Sequence, residues 1–177
     1  MISLIKGRSA KYILLNIFSA AIVSLLLFIY LFSPYKVVGN SMNPVLDSGD
    51  KVLITNSFLT GEIRRFDIVV TKSSSMKRGK LIKRVIGLPG ESIEIRNGNV
   101  IINNTLLNES FLRDKGDVIF RSLNMKLENI PDDYYFLLGD YRENSTDSRN
   151  FGPLHRKNII GKTLIRYWPL KKFGFIK

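Results

Sequence analysis

Hydrophobic and polar positions divide this chain into two unlike parts. From Tyr12 to Phe32 the sequence YILLNIFSAAIVSLLLFIYLF carries no charge, and Asn16 is its only strongly polar residue. At about 1.5 Å per residue, a helix of that length spans ~30 Å, the thickness of a bilayer core. Tyr12 and Tyr30 stand near its ends, where aromatic side chains favour the interface. Beyond Val37 the apolar residues come instead in short runs separated by Gly, Pro, Asn and Ser. Lys51–Ile54 follows the turn signal Ser48-Gly49-Asp50. Asp67–Val70, Ser92–Ile95, Asn99–Ile102, Tyr134–Leu138 and Ile160–Trp168 read as further strands. Arg96-Asn97-Gly98 marks a hairpin, because Asn-Gly suits the positive φ angles of a tight turn. No helical period persists over three turns after residue 33. The pattern predicts a mainly β protein: an antiparallel sheet or barrel-like domain behind one transmembrane helix. Residues 73–80 read as an exposed, mobile loop, and residues 103–130 as an irregular polar insertion.

A cleaved secretory signal would have a shorter apolar core, about 7–15 residues, and a small-residue cleavage site. Ser33-Pro34-Tyr35-Lys36 is a poor site of that kind. The run therefore reads as an uncleaved anchor over 12–32. Lys6, Arg8 and Lys11 precede it, and no acidic residue occurs before Asp47. The positive-inside rule places residues 1–11 in the cytoplasm and residues 33–177 on the far side of the plasma membrane.

Charge narrows the partners. The 177 residues include 27 Lys and Arg against 15 Asp and Glu, for a net charge of +12. Such a balance suits nucleic acid or an anionic membrane surface. The basic residues are spread out, with no zinc-finger spacing and no basic helix before a zipper, which favours the membrane over nucleic acid. Cysteine is absent, so disulfides, zinc-thiolate sites and cysteine nucleophiles are excluded. His155 is the only histidine, which excludes a His-rich metal site. A surface or turn role is expected for it. Neither a metal nor a cofactor is expected.

The candidate chemistry lies in three segments. Ser41 sits in Val38-Gly39-Asn40-Ser41-Met42-Asn43-Pro44, shortly after the apolar span. Gly39 and Pro44 make the backbone there irregular and approachable. Lys83 sits among Leu81, Ile82, Val85, Ile86 and Leu88. Burial among such neighbours lowers a lysine pKa, and a neutral amine can accept a serine proton. Lys83 and Arg84 are adjacent on a predicted strand and point to opposite faces, so one can be buried while the other is wet. The third segment, Leu138 to Arg149, is dense in polar side chains yet follows an apolar strand. It could hold an Asp–Arg pair and a hydroxyl that positions the lysine, or be a polar loop.

In this order, the three segments closely resemble those of bacterial type I signal peptidases. Ser41-Met42-Asn43-Pro44 resembles the family's nucleophile segment. Lys83-Arg84-Val85-Ile86-Gly87-Leu88-Pro89-Gly90 resembles its general-base segment, and Gly139-Asp140-Tyr141-Arg142-Glu143-Asn144-Ser145-Thr146-Asp147-Ser148-Arg149 its supporting segment. The resemblance implies Ser41 as nucleophile and Lys83 as general base. It also implies that Ser145 hydrogen-bonds the Lys83 amine, that Asp147 and Arg149 form an ion pair, and that Arg84 belongs to the same support. The Ser41 backbone N–H would donate to the oxyanion. Gly39 stands where some members carry a serine that helps there, and Tyr141 where many carry asparagine. The implied substrate is a signal-peptide-bearing preprotein with small residues just before the cut and two positions upstream. Val38, Gly39, Met42, Leu46, Leu81 and Ile82 are the expected substrate-binding residues.

Three other readings remain open. A self-cleaving repressor would need a DNA-binding region where the apolar span stands. An anchored binding domain would keep the fold without depending on Ser41 and Lys83. A maturation peptidase dedicated to one precursor type has the same sequence features as the general enzyme.

Overall fold

The computed structural model describes residues 2–56, 60–72, 79–112 and 124–176, with side chains from residue 10 onward. Helix α1 runs Ile2–Leu31. Its part Ala10–Leu31 is long and apolar enough to cross a membrane, and none of that stretch is buried against the rest of the protein. The helix stops one residue before the predicted end of the span. Phe32 already belongs to strand β1, Phe32–Lys36.

Eight strands form the larger sheet. Besides β1 they are β2 (Lys51–Thr55), β3 (Ile68–Lys72), β4 (Lys80–Gly87), β9 (Tyr134–Leu138), β10 (Leu154–His155), β11 (Ile159–Trp168) and β12 (Gly174–Phe175). Their order is β1-β2-β11-β3-β4-β9-β10, with β12 also on β11. A second sheet of four strands has the order β7-β6-β5-β8, built from β5 (Ile93–Arg96), β6 (Asn99–Ile102), β7 (Thr105–Leu106) and β8 (Met125–Leu127). All these pairings are antiparallel. The expected fold class holds, with one correction: the larger sheet ends at β1 and β10, and no closed barrel forms among the described residues.

The predicted hairpin is β5–β6. Asn97 and Gly98 take φ of 51° and 75° at its tip, the pair of positive values that a two-residue turn needs. Val100, Ile93, Ile95 and Ile102 alternate inward from it onto Ile86, Ile130, Phe136 and Leu138. A second apolar cluster joins Val37, Met42, Leu46, Val52, Ile54, Ile68, Val70 and Ile82. A third joins Ile63, Val69, Val85, Leu137, Leu154 and Ile159. Each such side chain contributes roughly 1.5–3 kcal/mol on burial. Strand β4 supplies Ile82, Ile86 and Val85 to all three clusters, so it is covered on both faces.

The stretch 103–130 is more regular than expected, since it contributes β7 and β8. Of the loop expected over 73–80, residues 73–78 lie outside the described residues and Lys80 already opens β4, while the insertion's centre at 113–123 also lies outside them. His155 takes a turn role: its Nδ1 accepts from Lys157 N–H at 3.0 Å, and its ring stands edge-on to Tyr134.

Candidate active site

Ser41 lies in the loop between β1 and β2. Val37 N–H donates to the Asp50 carbonyl at 2.8 Å and Gly49 N–H to the Val37 carbonyl at 2.9 Å, closing the loop at its base. Met42 and Leu46 are fully buried and pin its inner side to the second cluster. Val38, Gly39 and Asn40 are thereby left exposed and Ser41 half-buried. A nucleophile needs this combination of a fixed backbone and an open side.

Lys83 comes from the middle of β4, opposite Val69 of β3. Its Nζ lies 2.6 Å from Ser41 Oγ and donates to the Ile82 carbonyl at 3.0 Å. Only 2% of the residue is exposed. Burial lowers its pKa from 10.5 to about 8. Asp147 and Asp140 pull the value back up, and Arg149 pushes it down. The amine beside the serine hydroxyl therefore gives up its proton at about pH 8, well below an ordinary lysine.

Arg84 does not behave as the strand argument expected. Both it and Lys83 are buried, because β4 is covered on both faces. Arg84 Nε and Nη2 donate to the Asp140 carboxylate at 2.8 and 2.7 Å, and Nη1 donates to the Phe66 carbonyl at 3.0 Å. Its guanidinium also lies 4.1 Å from the Phe111 ring centre. These partners offset the desolvation of a cation with no exposed surface, and removing one would leave the charge uncompensated.

The segment after β9 wraps around the same spot. Arg149 Nε and Nη2 each donate to Asp147 at 2.8 Å, so the expected ion pair is present. Asp147 also caps the four-residue helix α2, Ser148–Phe151, and accepts from Gly139 N–H at 3.0 Å. Tyr141 N–H donates to the Ser41 carbonyl at 3.0 Å. Gly139 permits this approach: a Cβ there would lie 2.6 Å from the Ser41 carbonyl oxygen and collide with Ser145. The bond expected from Ser145 to the Lys83 amine is not made. Ser145 Oγ is buried against Gly139 with no hydrogen-bond partner among the described residues.

The expected substrate-binding residues fall into two groups. Val38 is 76% exposed, Gly39 is exposed and Leu81 is partly exposed. Met42, Leu46 and Ile82 are instead part of the core, at 0%, 0% and 3% exposure. They back the loop rather than offer open surface beside Ser41. Sequence reasoning missed the partners of the buried cations. Asp140 was visible only as one member of a polar segment, and its pairing with Arg84 spans 56 residues. Glu109, which pairs with the buried Arg142, stands in a polar stretch with no motif to mark it.

Residues 10–168 match the family described as signal peptidase, peptidase S26. The chain belongs to that family. Signal peptidase I P of Bacillus subtilis subsp. natto is 37% identical, the alignment covering 97% of this chain and 98% of that one. Signal peptidase I of Bacillus caldolyticus is 38% identical over 89% and 91%. Signal peptidase IB of Staphylococcus aureus strain COL is 34% identical over 92% and 93%. A crystal structure of a signal peptidase I from Enterococcus faecalis superposes with a TM-score of 0.51 at 31% identity, covering 57% of this chain and 96% of that one. The signal peptidase match includes the apolar helix, the loop that carries Ser41 and the strand that carries Lys83. It makes the chain a serine peptidase of the signal peptidase I type.

Proposed function

We propose that this enzyme removes signal peptides from exported preproteins, with Ser41 as nucleophile and Lys83 as general base. The observation that carries the reading is the 2.6 Å approach of the buried Lys83 Nζ to Ser41 Oγ. Neutral Lys83 takes the hydroxyl proton as Ser41 Oγ attacks the scissile carbonyl. The Ser41 backbone N–H stabilises the oxyanion. Lys83 then protonates the departing amine, leaving an ester on Ser41, and water releases the signal peptide with Lys83 again as base. Asp147 and Arg149 hold the segment against Gly139. Arg84 and Asp140 fix β4 beneath the lysine. Ser145, buried beside Gly139, would have to turn its hydroxyl away from that glycine to support the amine.

The substrate enters extended beside Val38, Gly39 and Leu81, and small residues just before the cut and two positions upstream fit closest to the backbone. Helix α1 anchors the enzyme in the plasma membrane, with the basic N-terminal residues in the cytoplasm, the apolar stretch ending at Leu31 spanning, and the β domain from Phe32 on the outer side. The uncharged span and the lysines before it support this orientation.

The test is cleavage of a preprotein by the detergent-solubilised full chain, with Ser41→Ala and Lys83→Ala beside it. Cleavage after a small residue by the parent alone supports the reading. Cleavage by either variant overturns the dyad, and a parent that processes only one precursor type favours a dedicated maturation peptidase.

A further inference from the structure

The chain that leaves the small sheet after β7 returns to the active site. Leu107 N–H stays tied to the Val100 carbonyl of β6 at 2.8 Å, and Leu112 N–H closes a turn onto the Glu109 carbonyl at 3.0 Å. Two side chains from this stretch reach inward. Phe111 covers the Arg84 guanidinium and stands edge-on to Phe66, ring centres 5.2 Å apart. The Glu109 side chain, 3% exposed, takes both terminal nitrogens of Arg142, whose side chain is 1% exposed. Arg142 Nε in turn donates to the Gly139 carbonyl at 3.1 Å.

The target of that last bond matters. Gly139 donates to Asp147 and lies against the Ser41 carbonyl, Asp140 holds Arg84, and Tyr141 N–H holds the Ser41 carbonyl. Three successive residues thus touch the nucleophile's backbone or the base's strand. Arg142 grips their first carbonyl, and Glu109 is the carboxylate that fixes Arg142. A guanidinium held by both carboxylate oxygens has little freedom to turn.

We propose that Glu109 is a positioning residue for the reaction, acting through Arg142 to hold Gly139–Tyr141 against Ser41. The proposal rests on the Ser41–Lys83 reading. Neither Glu109 nor Arg142 is among the charges that shift Lys83. The pair therefore acts on the site through the backbone it holds, Gly139–Tyr141, and not as a charge facing the amine.

The experiment uses the full chain in detergent, with Ser41 counted by a serine-directed acylating inhibitor so that rates refer to folded, labelled enzyme. Glu109→Gln keeps the shape and removes the charge. The double variant Glu109→Leu/Arg142→Met replaces the buried pair with apolar side chains, an exchange that commonly preserves folding. Both are expected to lower kcat about tenfold or more with KM within about twofold, since small misplacements at a reacting centre cost this much. Parental kcat per labelled serine in both variants overturns the proposal. So does failure of both to fold, which would make the pair purely structural. Ser41→Ala, run in parallel, separates the two readings: its continued cleavage sinks the dyad whatever Glu109 does.

Discussion

The seam between β4 and β9 and the inner face of the four-stranded sheet are both buried, yet they are filled differently. The small sheet buries Ile93, Ile95, Val100 and Ile102. The seam buries Lys83, Arg84, Asp140, Asp147 and Arg142. Burying charge is costly, and the protein meets the cost unevenly. Arg84 receives a bidentate carboxylate, a carbonyl and an aromatic face. Lys83 receives a hydroxyl and one carbonyl. The difference separates a cation kept for structure from one kept ready to lose its proton.

The sharpest way to break this comparison is to give the Lys83 position a cation that cannot titrate. Lys83→Arg is expected to lower cleavage on the order of 10⁴-fold, because guanidinium stays protonated. Detectable turnover would show that a neutral base is not required there. Second, Asp140→Asn removes the carboxylate that compensates the buried Arg84. A loss of about 3–5 kcal/mol in denaturant unfolding is expected, as for other broken buried pairs. Third, kcat/KM should rise about tenfold per pH unit and level off above about 8, where Lys83 titrates. A profile flat from about two units below that value to about one above it would remove Lys83 as base.

Stability should follow the same group with the opposite cost. Lys83 titrates at about 8 when folded and 10.5 as a free lysine, so between those values the unfolded chain binds more protons. Parental stability therefore rises with pH across that window. Lys83→Met lacks this dependence. It should be stabilising below about pH 8, with the gain shrinking towards 10.5. A gain constant with pH would mean the lysine is not held neutral by the fold. The smallest effect belongs to the other region. Ile95→Val should cost about 0.5–1.5 kcal/mol in unfolding and leave kcat unchanged.

Sequence made the small sheet's hairpin legible because Asn97-Gly98 encodes its own geometry. It also exposed β2, β9 and β11 through their apolar runs. Motif and neighbours singled out Ser41 and Lys83, whose side chains the fold brings together. Arg84 was misjudged because alternation tells faces apart but not whether a second layer covers them. Met42 and Leu46 were placed at the substrate because an apolar residue beside a nucleophile looks the same whether it faces the groove or the core. Glu109 was invisible because its partner is 33 residues away and the polar stretch around it has no period.

The joint between α1 and the sheet has one more consequence. The last helical carbonyls, of Tyr30 and Leu31, accept from the side chain and backbone of Asn56, and Ser33 Oγ donates to the same side chain at 2.9 Å. With β1 pairing to β2 from Phe32 onward, no slack remains between helix and domain. The domain is mounted, as on a bracket, rather than hung from a tether. The height of Ser41 above the helix end is then a fixed length of the fold, as in a ruler.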